Sequence, residues 1–312
     1  MKKVAILGLG FIGKNLLNSY LKNNCIIYIL DKKPCPAEFD NIKSIIWING
    51  CLNEIEKVNA ILKNVDIVYH LISSTVPGDE VDENEEINKN VIETINLLKA
   101  CVKNEIKKII FLSSASVYGI QTSLPIIEDA STNPISPHGI HKLTIEKYLL
   151  YFKHKFNLNS NIIRLSNPYG YGQDIFGRQG LIAICLGKII NNETLEVLGD
   201  GTAIRDFIHI SDVISACHLV EESESNNTIF NIGSGVGFSI NEILDYFKII
   251  FKHRFNFEYK DYRLNDISNS ILDTTRAFEI LGFQTKISLM EGINMTIHKH
   301  IEEYPDLKVN AD

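Results

Sequence analysis

No apolar stretch in this 312-residue chain approaches the ~20 residues that a membrane-spanning helix requires. The N-terminal Met-Lys-Lys followed by Val4–Gly13 imitates a signal peptide only superficially. That run holds three glycines, passes straight into Lys14 and offers no small-x-small cleavage site. Cysteine is sparse: Cys25, Cys35, Cys51, Cys101, Cys185 and Cys217 form no C-x-x-C pair and show no metal-ligand spacing. This excludes a disulfide framework or a zinc ribbon, predicts no metal site, and fits free, mostly buried thiols in a reducing cytoplasm. Positive charge is in deficit, with 31 Lys and Arg against 38 Asp and Glu for a net charge of −7, and no basic stripe stands out. Nucleic acid and membrane are therefore not expected partners. Internal repeats, low-complexity blocks and linkers are absent too.

What is present is enough apolar residue, 45% of the chain, to bury a substantial core in about two domains. Short β-branched runs predict strands at Lys3–Leu7, Ile26–Leu30, Ile45–Ile48, Ile67–His70, Ile109–Leu112 and Ile162–Leu165. Amphipathic patterns at Gly13–Lys22, Ile87–Lys103 and Gly139–Phe156 predict helices between them. Strands separated by helices imply right-handed crossovers and a parallel sheet covered on both faces. After about residue 166 the rhythm breaks: 167–173 (Asn-Pro-Tyr-Gly-Tyr-Gly-Gln) reads as a loop and Leu181–Ile190 as a helix. Phe207–Ile210 and Ile229–Ile232 read as strands that return to the sheet. The expected fold is α/β, a Rossmann-type doubly wound parallel sheet with a smaller C-terminal mixed substrate lobe. Residues 1–166 form the first part, rejoined by strands from about 206–235, and 167–205 with 236–312 form the lobe, the two packed around one cleft.

The first strand runs into Gly8-Leu9-Gly10-Phe11-Ile12-Gly13 and then a helix. In that context G-x-G-x-x-G lets backbone N–H groups and a helix N-terminus meet a pyrophosphate. Asp31 closes the second strand, 18 residues past Gly13, where a carboxylate accepts from adenosine ribose hydroxyls. Its charge repels a 2′-phosphate and favours NAD over NADP, with Lys32 and Lys33 as the residues that keep NADP open.

Further motifs follow in order: Tyr-His-Leu-Ile-Ser-Ser (69–74), Asn90, Ser-Ser-Ala-Ser-Val-Tyr-Gly (113–119) and Pro-Ile-Ser-Pro-His-Gly-Ile-His-Lys (134–142). Arg-x-x-Asn-Pro-Tyr-Gly (164–170), Gly-Asp-Gly…Arg-Asp-Phe-Ile-His (199–209) and Asn-Ile-Gly-Ser-Gly (231–235) complete the set. Over about 1–300 this order and spacing resemble the NAD-dependent epimerase/dehydratase family of extended short-chain dehydrogenases, closest in type to UDP-glucose 4-epimerase. The chain departs from the family's pattern at Leu7, where its first glycine usually lies, and at Cys51, which replaces a common Asp. The resemblance implies NAD held by Gly8, Gly10, Phe11, Ile12, Gly13, Asp31, Leu52, Leu71, Ser73, Asn90 and Lys142. It also implies a homodimer, for which Ile87–Lys103 and Gly139–Phe156 are the candidate faces.

By the same resemblance Ser114 hydrogen-bonds a sugar hydroxyl and Lys142 holds the nicotinamide ribose. The family's base is the tyrosine of Tyr-x-x-x-Lys, and this chain has His138 there, 24 residues after Ser114. Three readings stand open. Imidazole, with a pKa near ~6.5 against ~10 for phenol, acts as the base, with a bridging water making up for its shorter reach. Alternatively the site binds its ligands but is impaired, or His138 is a loop residue and another group acts. His141 is a poor substitute, because its position beside Lys142 on a helix turns it away from His138's direction. Ala115 and Ser116 stand where related 4,6-dehydratases carry an Asp-Glu pair, which disfavours dehydration. C4 epimerisation or 4-ketosugar reduction remains.

At the other end of the ligand the resemblance puts Asn167, Arg205 and Arg263 on the diphosphate and Asp266 on the nucleotide ribose. Guanidinium suits that task through bidentate bonds to phosphate oxygens. The blander readings are an ion pair from Arg205 to Asp206 or Asp212, and a turn-forming role for Asn167. Ser270 falls at the hexose pocket, where a small side chain leaves room for a 2-acetamido group. The expected function is NAD-dependent C4 epimerisation of a UDP-hexose or UDP-N-acetylhexosamine through a transient 4-keto sugar, supplying surface-polysaccharide precursors. An impaired NAD and nucleotide-sugar binder and an NAD(P)H-dependent 4-ketosugar reductase are the alternatives.

Overall fold

The apolar runs become strands with slightly wider limits than the sequence pattern predicts. In the computed structural model, which describes residues 1–74, 82–252, 255–261 and 267–305, they are β1 (Lys2–Leu7), β2 (Cys25–Asp31), β3 (Ile45–Asn49), β4 (Ile67–His70), β5 (Lys108–Ser114) and β6 (Ser160–Leu165). They form one sheet in the order β3-β2-β1-β4-β5-β6, extended beyond β6 by a later strand, Ile229–Ile232. The pairs β1–β2, β2–β3, β1–β4 and β4–β5 are parallel, in registers such as Val4↔Ile27 and His70↔Phe111. Val4 to Leu7 are fully buried, as a strand covered on both faces demands. The strand order reverses at β1, so the chain leaves the ends of β1 and β4 in opposite directions. In sheets of this kind ligands bind at that switch point.

Helices α1 (Phe11–Tyr20), α2 (Ile55–Leu62), α3 (Glu83–Ile87), α4 (Glu93–Lys103) and α5 (Pro137–Phe156) accompany this sheet. One core joins Leu7, Leu30, Val68 and Phe111 of the strands to Val58, Leu97, Leu98, Ile145 and Leu149 of the helices. The single helix expected over Ile87–Lys103 is instead α3 and α4 joined by a π-helical turn at Asn88–Ile92. Such turns insert one residue into a helix and often mark functional positions, and Asn90 lies in this one. Helix α5 begins two residues before the apolar pattern does. Ser136 caps it by accepting from Gly139 N–H at 3.2 Å, and Pro137 occupies the first turn, where its missing N–H costs nothing. It ends on left-handed Asn157 after Lys153, His154 and Lys155, which suit the negative end of the helix.

The remaining elements are β7 (Asn167–Tyr169), β8 (Leu195–Leu198), β9 (Ile204–His209), β10 (the Ile229–Ile232 strand beside β6), β11 (Gly237–Ser239), β12 (Phe257–Lys260) and β13 (Asn269–Ser270). With them come α6 (Leu181–Ile190), α7 (Ile210–Glu222), α8 (Ile240–Phe251), α9 (Thr275–Leu281) and α10 (Leu289–Glu303). Two compact units result. One holds Met1–Val117, Pro134–Arg164 and Ala216–Phe230; the other holds Tyr118–Asn133, Leu165–Ser215 and the described residues from Asn231 onward. The core of the second gathers Phe207, Leu186, Phe247, Phe251 and Ile293.

Two expectations need correction. Ile229–Ile232 rejoins the large sheet, but Phe207–Ile210 does not: β9 belongs to a separate sheet with β7, β11 and β13. An apolar run records that a strand is buried and not which partner buries it. Likewise 167–173 is not all loop, since β7 pairs in parallel with β9 through Asn167↔Phe207. All six cysteines are free; Cys25, Cys101, Cys185 and Cys217 are buried, Cys35 and Cys51 only partly so. Burial pushes the Cys101, Cys185 and Cys217 thiols far above their usual range, which leaves them protonated and inert. Among the described residues no helix is long and apolar enough to cross a membrane, and no three metal-ligating side chains cluster.

Candidate active site

The glycine turn at the end of β1 is shaped by close backbone contacts. Gly8 has φ +99°, in the left-handed region, and a Cβ on Gly13 would stand 2.2 Å from the Gly8 carbonyl oxygen. Around the position of a Gly10 Cβ there is no atom within 4 Å, so the backbone there is open to a ligand. Helix α1 starts at Gly10 with no side-chain cap and no acidic residue in its first turn. An uncapped, positively polarised helix end beside bare backbone fits a pyrophosphate. The Asp31 carboxylate accepts from Leu9 N–H at 2.6 Å and Lys33 N–H at 2.8 Å, fastening the turn to the end of β2. Each of its oxygens keeps a further lone pair for a ribose hydroxyl.

The other residues expected at the cofactor lie in the same unit. Phe11 and Ile12 open α1 half-buried, and Leu71 N–H donates to Leu7 O at 3.0 Å as the chain leaves β4. Leu71 also approaches the Gly13 position to 3.4 Å. Ser73 is exposed. Asn90 clamps the neighbouring Ser74, accepting from its N–H at 2.9 Å and donating to its Oγ at 2.8 Å. Leu52 is 1% exposed and packs into the core, so side-chain contact with a ligand is small there.

Helix α5 carries two of the candidate catalytic groups, and its first turn packs on the turn that follows the strand bearing the third. A Cβ on Gly139 would meet the Ser116 carbonyl oxygen at 2.6 Å, so only glycine lets the first turn of α5 settle on the turn that follows β5. Ser114 ends β5, and His138 is the half-buried second residue of α5. Ser114 Oγ accepts from Ser116 N–H at 3.2 Å, a bond that leaves its own hydrogen for a ligand. Lys142 follows His138 by one helical turn, on the same side of the helix. It is buried, donates from Nζ to Leu112 O at 2.7 Å and stands 4.8 Å from the centre of the Phe111 ring. Burial pushes its ammonium down to about 8, against the upward pull of Glu146. His141 is buried too, and its charged neighbour is Glu86 of α3.

Two buried groups escaped the sequence reading. Glu146, four residues beyond Lys142, forms an ion pair with Arg164 of β6 (Nη2 to Oε2, 2.7 Å) and accepts from Ser113 Oγ at 2.5 Å. Both charges are almost wholly buried. Their signal was available: an arginine inside the apolar run Ile162–Leu165, and a carboxylate between Ile145 and Leu149, must find partners. Breaking such a pair on one side costs about 3–5 kcal/mol, so it holds α5 against the sheet. The second is His70 at the end of β4. Thr94 Oγ1 spends its hydrogen on Asn90 O at 2.6 Å, so His70 Nε2 must donate to Thr94 Oγ1 at 2.8 Å. Nδ1 then carries the lone pair. Burial, helped by the Lys142 charge, pushes the imidazole down to about 3 and keeps it neutral.

The residues expected at the sugar-nucleotide end belong to the second unit. Asn167 donates from Nδ2 to Asp206 O at 2.8 Å. Arg205 donates from Nη1 to Ile204 O at 3.0 Å and Ser268 O at 3.2 Å. Ser270 stands opposite Arg205 in the parallel β13–β9 pair. The carboxylates of Asp206 and Asp212 are occupied by backbone donors: Ser234, Gly235 and Leu272 for the first, Lys286 and Ile287 for the second. Arg263 and Asp266 lie outside the described residues.

The profile of the NAD dependent epimerase/dehydratase family matches residues 4–233. Among curated proteins, the UDP-glucose 4-epimerase of Mycolicibacterium smegmatis is 31% identical over 234 residues, covering 74% of this chain and 75% of its own. The dTDP-4-dehydro-6-deoxyglucose reductase of Escherichia coli is 30% identical over 300 residues, 93% of this chain and 94% of its own. Among solved structures, UDP-glucose 4-epimerase of Thermotoga maritima with UDP-glucose is 30% identical with a TM-score of 0.90, and the likeness covers 96% of this chain and 99% of that one. A doubly wound sheet, an uncapped glycine turn made for a dinucleotide and a Ser114–Lys142 pair on adjacent elements thus have one explanation: this chain belongs to the NAD-dependent epimerase/dehydratase family.

Proposed function

We propose that the protein interconverts the C4 epimers of a UDP-hexose or UDP-N-acetylhexosamine, with His138 in the place of the family's tyrosine. The observation that supports this reading is the first turn of α5, seated on the Ser116 carbonyl through Gly139, which sets the start of the helix that carries His138 and Lys142 against the turn that follows Ser114. When bound, NAD supplies the reversible two-electron oxidation at C4 that a transient 4-keto sugar requires. The turn at Gly8–Gly13 and Asp31 would hold its pyrophosphate and adenosine ribose, and Lys142 its nicotinamide ribose.

The chain's own residues then have separable tasks. Ser114 donates to the sugar O4 and fixes its position. His138 holds the O4 proton while C4 is oxidised and gives it back on reduction, directly or through one water. Lys142, cationic below about pH 8, keeps the imidazole beside it neutral and able to accept a proton. Asn167 and Arg205 take the diphosphate, with Ser270 beside the hexose, its small side chain leaving space for an acetamido group. The UDP-glucose carried by the Thermotoga maritima neighbour supports a UDP-sugar as ligand. The Escherichia coli relative supports a second reading, 4-ketosugar reduction, which differs in consuming one reduced cofactor per turnover.

We also propose a homodimer through α4 and α5. Ile92, Ile140 and Tyr151 of these helices and their junction are each between 45% and 49% exposed, apolar surface that a partner could cover. Sedimentation of the wild type should give twice the chain mass, and Ile140→Asp with Tyr151→Asp should halve it. A wild-type monomer at micromolar concentration removes the dimer.

Incubation with UDP-glucose and with UDP-N-acetylglucosamine, followed by NMR of the sugar protons, should show the C4 epimer of at least one, without net loss of cofactor. Oxidation of reduced cofactor matched by product when a 4-keto nucleotide sugar is offered instead selects the reductase reading, and complete absence of C4 exchange at micromolar protein rejects epimerisation. Because the Lys142 ammonium would hold the nicotinamide ribose, the dissociation constant of NAD should rise as pH rises through about 8. A flat profile between pH 7 and pH 10 would show that the charge of Lys142 does not matter.

A further inference from the structure

At the centre of the small sheet in the second unit lies a carboxylate that the mechanism above does not use. Asp206 is completely buried in β9. Its Oδ1 accepts from Ser234 N–H and Ser234 Oγ, both at 2.7 Å, and its Oδ2 from Gly235 N–H and Leu272 N–H, both at 3.2 Å. Its own carbonyl oxygen accepts from Asn167 Nδ2 at 2.8 Å. Gly233 makes room for it, since a Cβ there would stand 2.3 Å from Oδ2.

Two chain segments therefore converge on this side chain, the 233–235 turn and the residues just after β13, while Asn167 of β7 meets the backbone carbonyl of the same residue. Alternation along a strand sends Arg205 to the face opposite Asp206. On that strand Arg205 pairs in register with Ser270 on one side and Phe238 on the other. Seating Asp206 inward thus determines where Arg205 points and what stands beside it. We infer that Asp206 is the positioning residue of the sugar-nucleotide end, its carboxylate locking β9 to β13 and to the 233–235 turn so that Asn167, Arg205 and Ser270 are aligned before a UDP-sugar arrives. The inference rests on the nucleotide-sugar reading above.

Replacing the carboxylate by an amide preserves shape but removes an acceptor. Asn at this position has one oxygen for four donors and turns its NH2 toward the others, leaving at least one pair unsatisfied. Gly233→Ala reaches the same group differently, displacing the carboxylate without changing its charge. The test is calorimetric titration of the NAD-loaded protein with UDP, and separately of the NAD-free protein with NAD, for wild type, Asp206→Asn and Gly233→Ala. Preorganisation predicts that the UDP dissociation constant rises about 30-fold in both variants, while NAD affinity stays within about twofold.

Should Asp206→Asn fail to fold, Gly233→Ala carries the comparison alone. UDP affinity within about twofold of wild type, or UDP and NAD affinities falling in step, overturns the inference. UDP binding does not need turnover. Selective loss in the variants of a wild type that shows no C4 exchange would therefore sink the epimerase reading and leave this one standing. A wild type that ignores UDP overturns both.

Discussion

A lysine ammonium buried at the end of a β-strand is the constraint around which this protein is arranged. Lys142 cannot reach bulk water, so its Nζ hydrogens must find acceptors inside; Leu112 O at 2.7 Å is one, with the Phe111 ring against the charge. That requirement sets the register of α5 on β5. Four residues further along α5, the Glu146–Arg164 pair and Ser113 repeat the anchoring at a second point. Two anchors on one helix leave it no freedom to slide or roll. The first turn, with His138 and Gly139, then falls where the Ser116 carbonyl has space for a glycine and nothing larger. The candidate site is thus a consequence of burying charges that had to be satisfied.

The same logic bears on the imidazole. A phenol in this place needs a neighbouring cation to become a base near neutrality, because its ordinary pKa is about 10. An imidazole, with an ordinary pKa of about 6.5, is largely neutral at pH 7 already, and a neighbouring cation only favours that state further. One buried lysine therefore serves either residue, which makes the exchange of tyrosine for histidine tolerable to the rest of the site. What changes is reach, since histidine is the shorter side chain, and this is where a water enters the proposal. His70 shows how firmly the surroundings hold protonation states: its burial and the Lys142 charge keep it neutral, and its hydrogen bond to Thr94 fixes which nitrogen carries the hydrogen.

Much of this was legible in the residues. The glycine turn, Asp31, Ser114 and Lys142 lie on elements that local pattern predicts, and the large sheet follows from alternating apolar runs and amphipathic helices. Legibility ended where partners are non-local. Nothing within Phe207–Ile210 records that it pairs with β7, β11 and β13, because that choice depends on donors from Ser234, Gly235 and Leu272 for Asp206. The π-turn around Asn90 was invisible for a related reason: periodicity over 87–103 is close to helical, and one inserted residue shifts it too little to notice. Glu146 and Arg164 were readable in principle, as charges set in apolar runs, but each discloses only that a partner exists.

The central claim is that the imidazole at position 138 handles the O4 proton. The most direct measurement is the rate of C4 epimerisation by His138→Ala with and without free imidazole in solution. The account predicts a fall of about 10²–10⁴ on truncation, and recovery of a substantial part of it as imidazole is added, with Lys142 and Ser114 unchanged. A His138→Ala protein that turns over at the wild-type rate, or one that imidazole does nothing to restore, would contradict it.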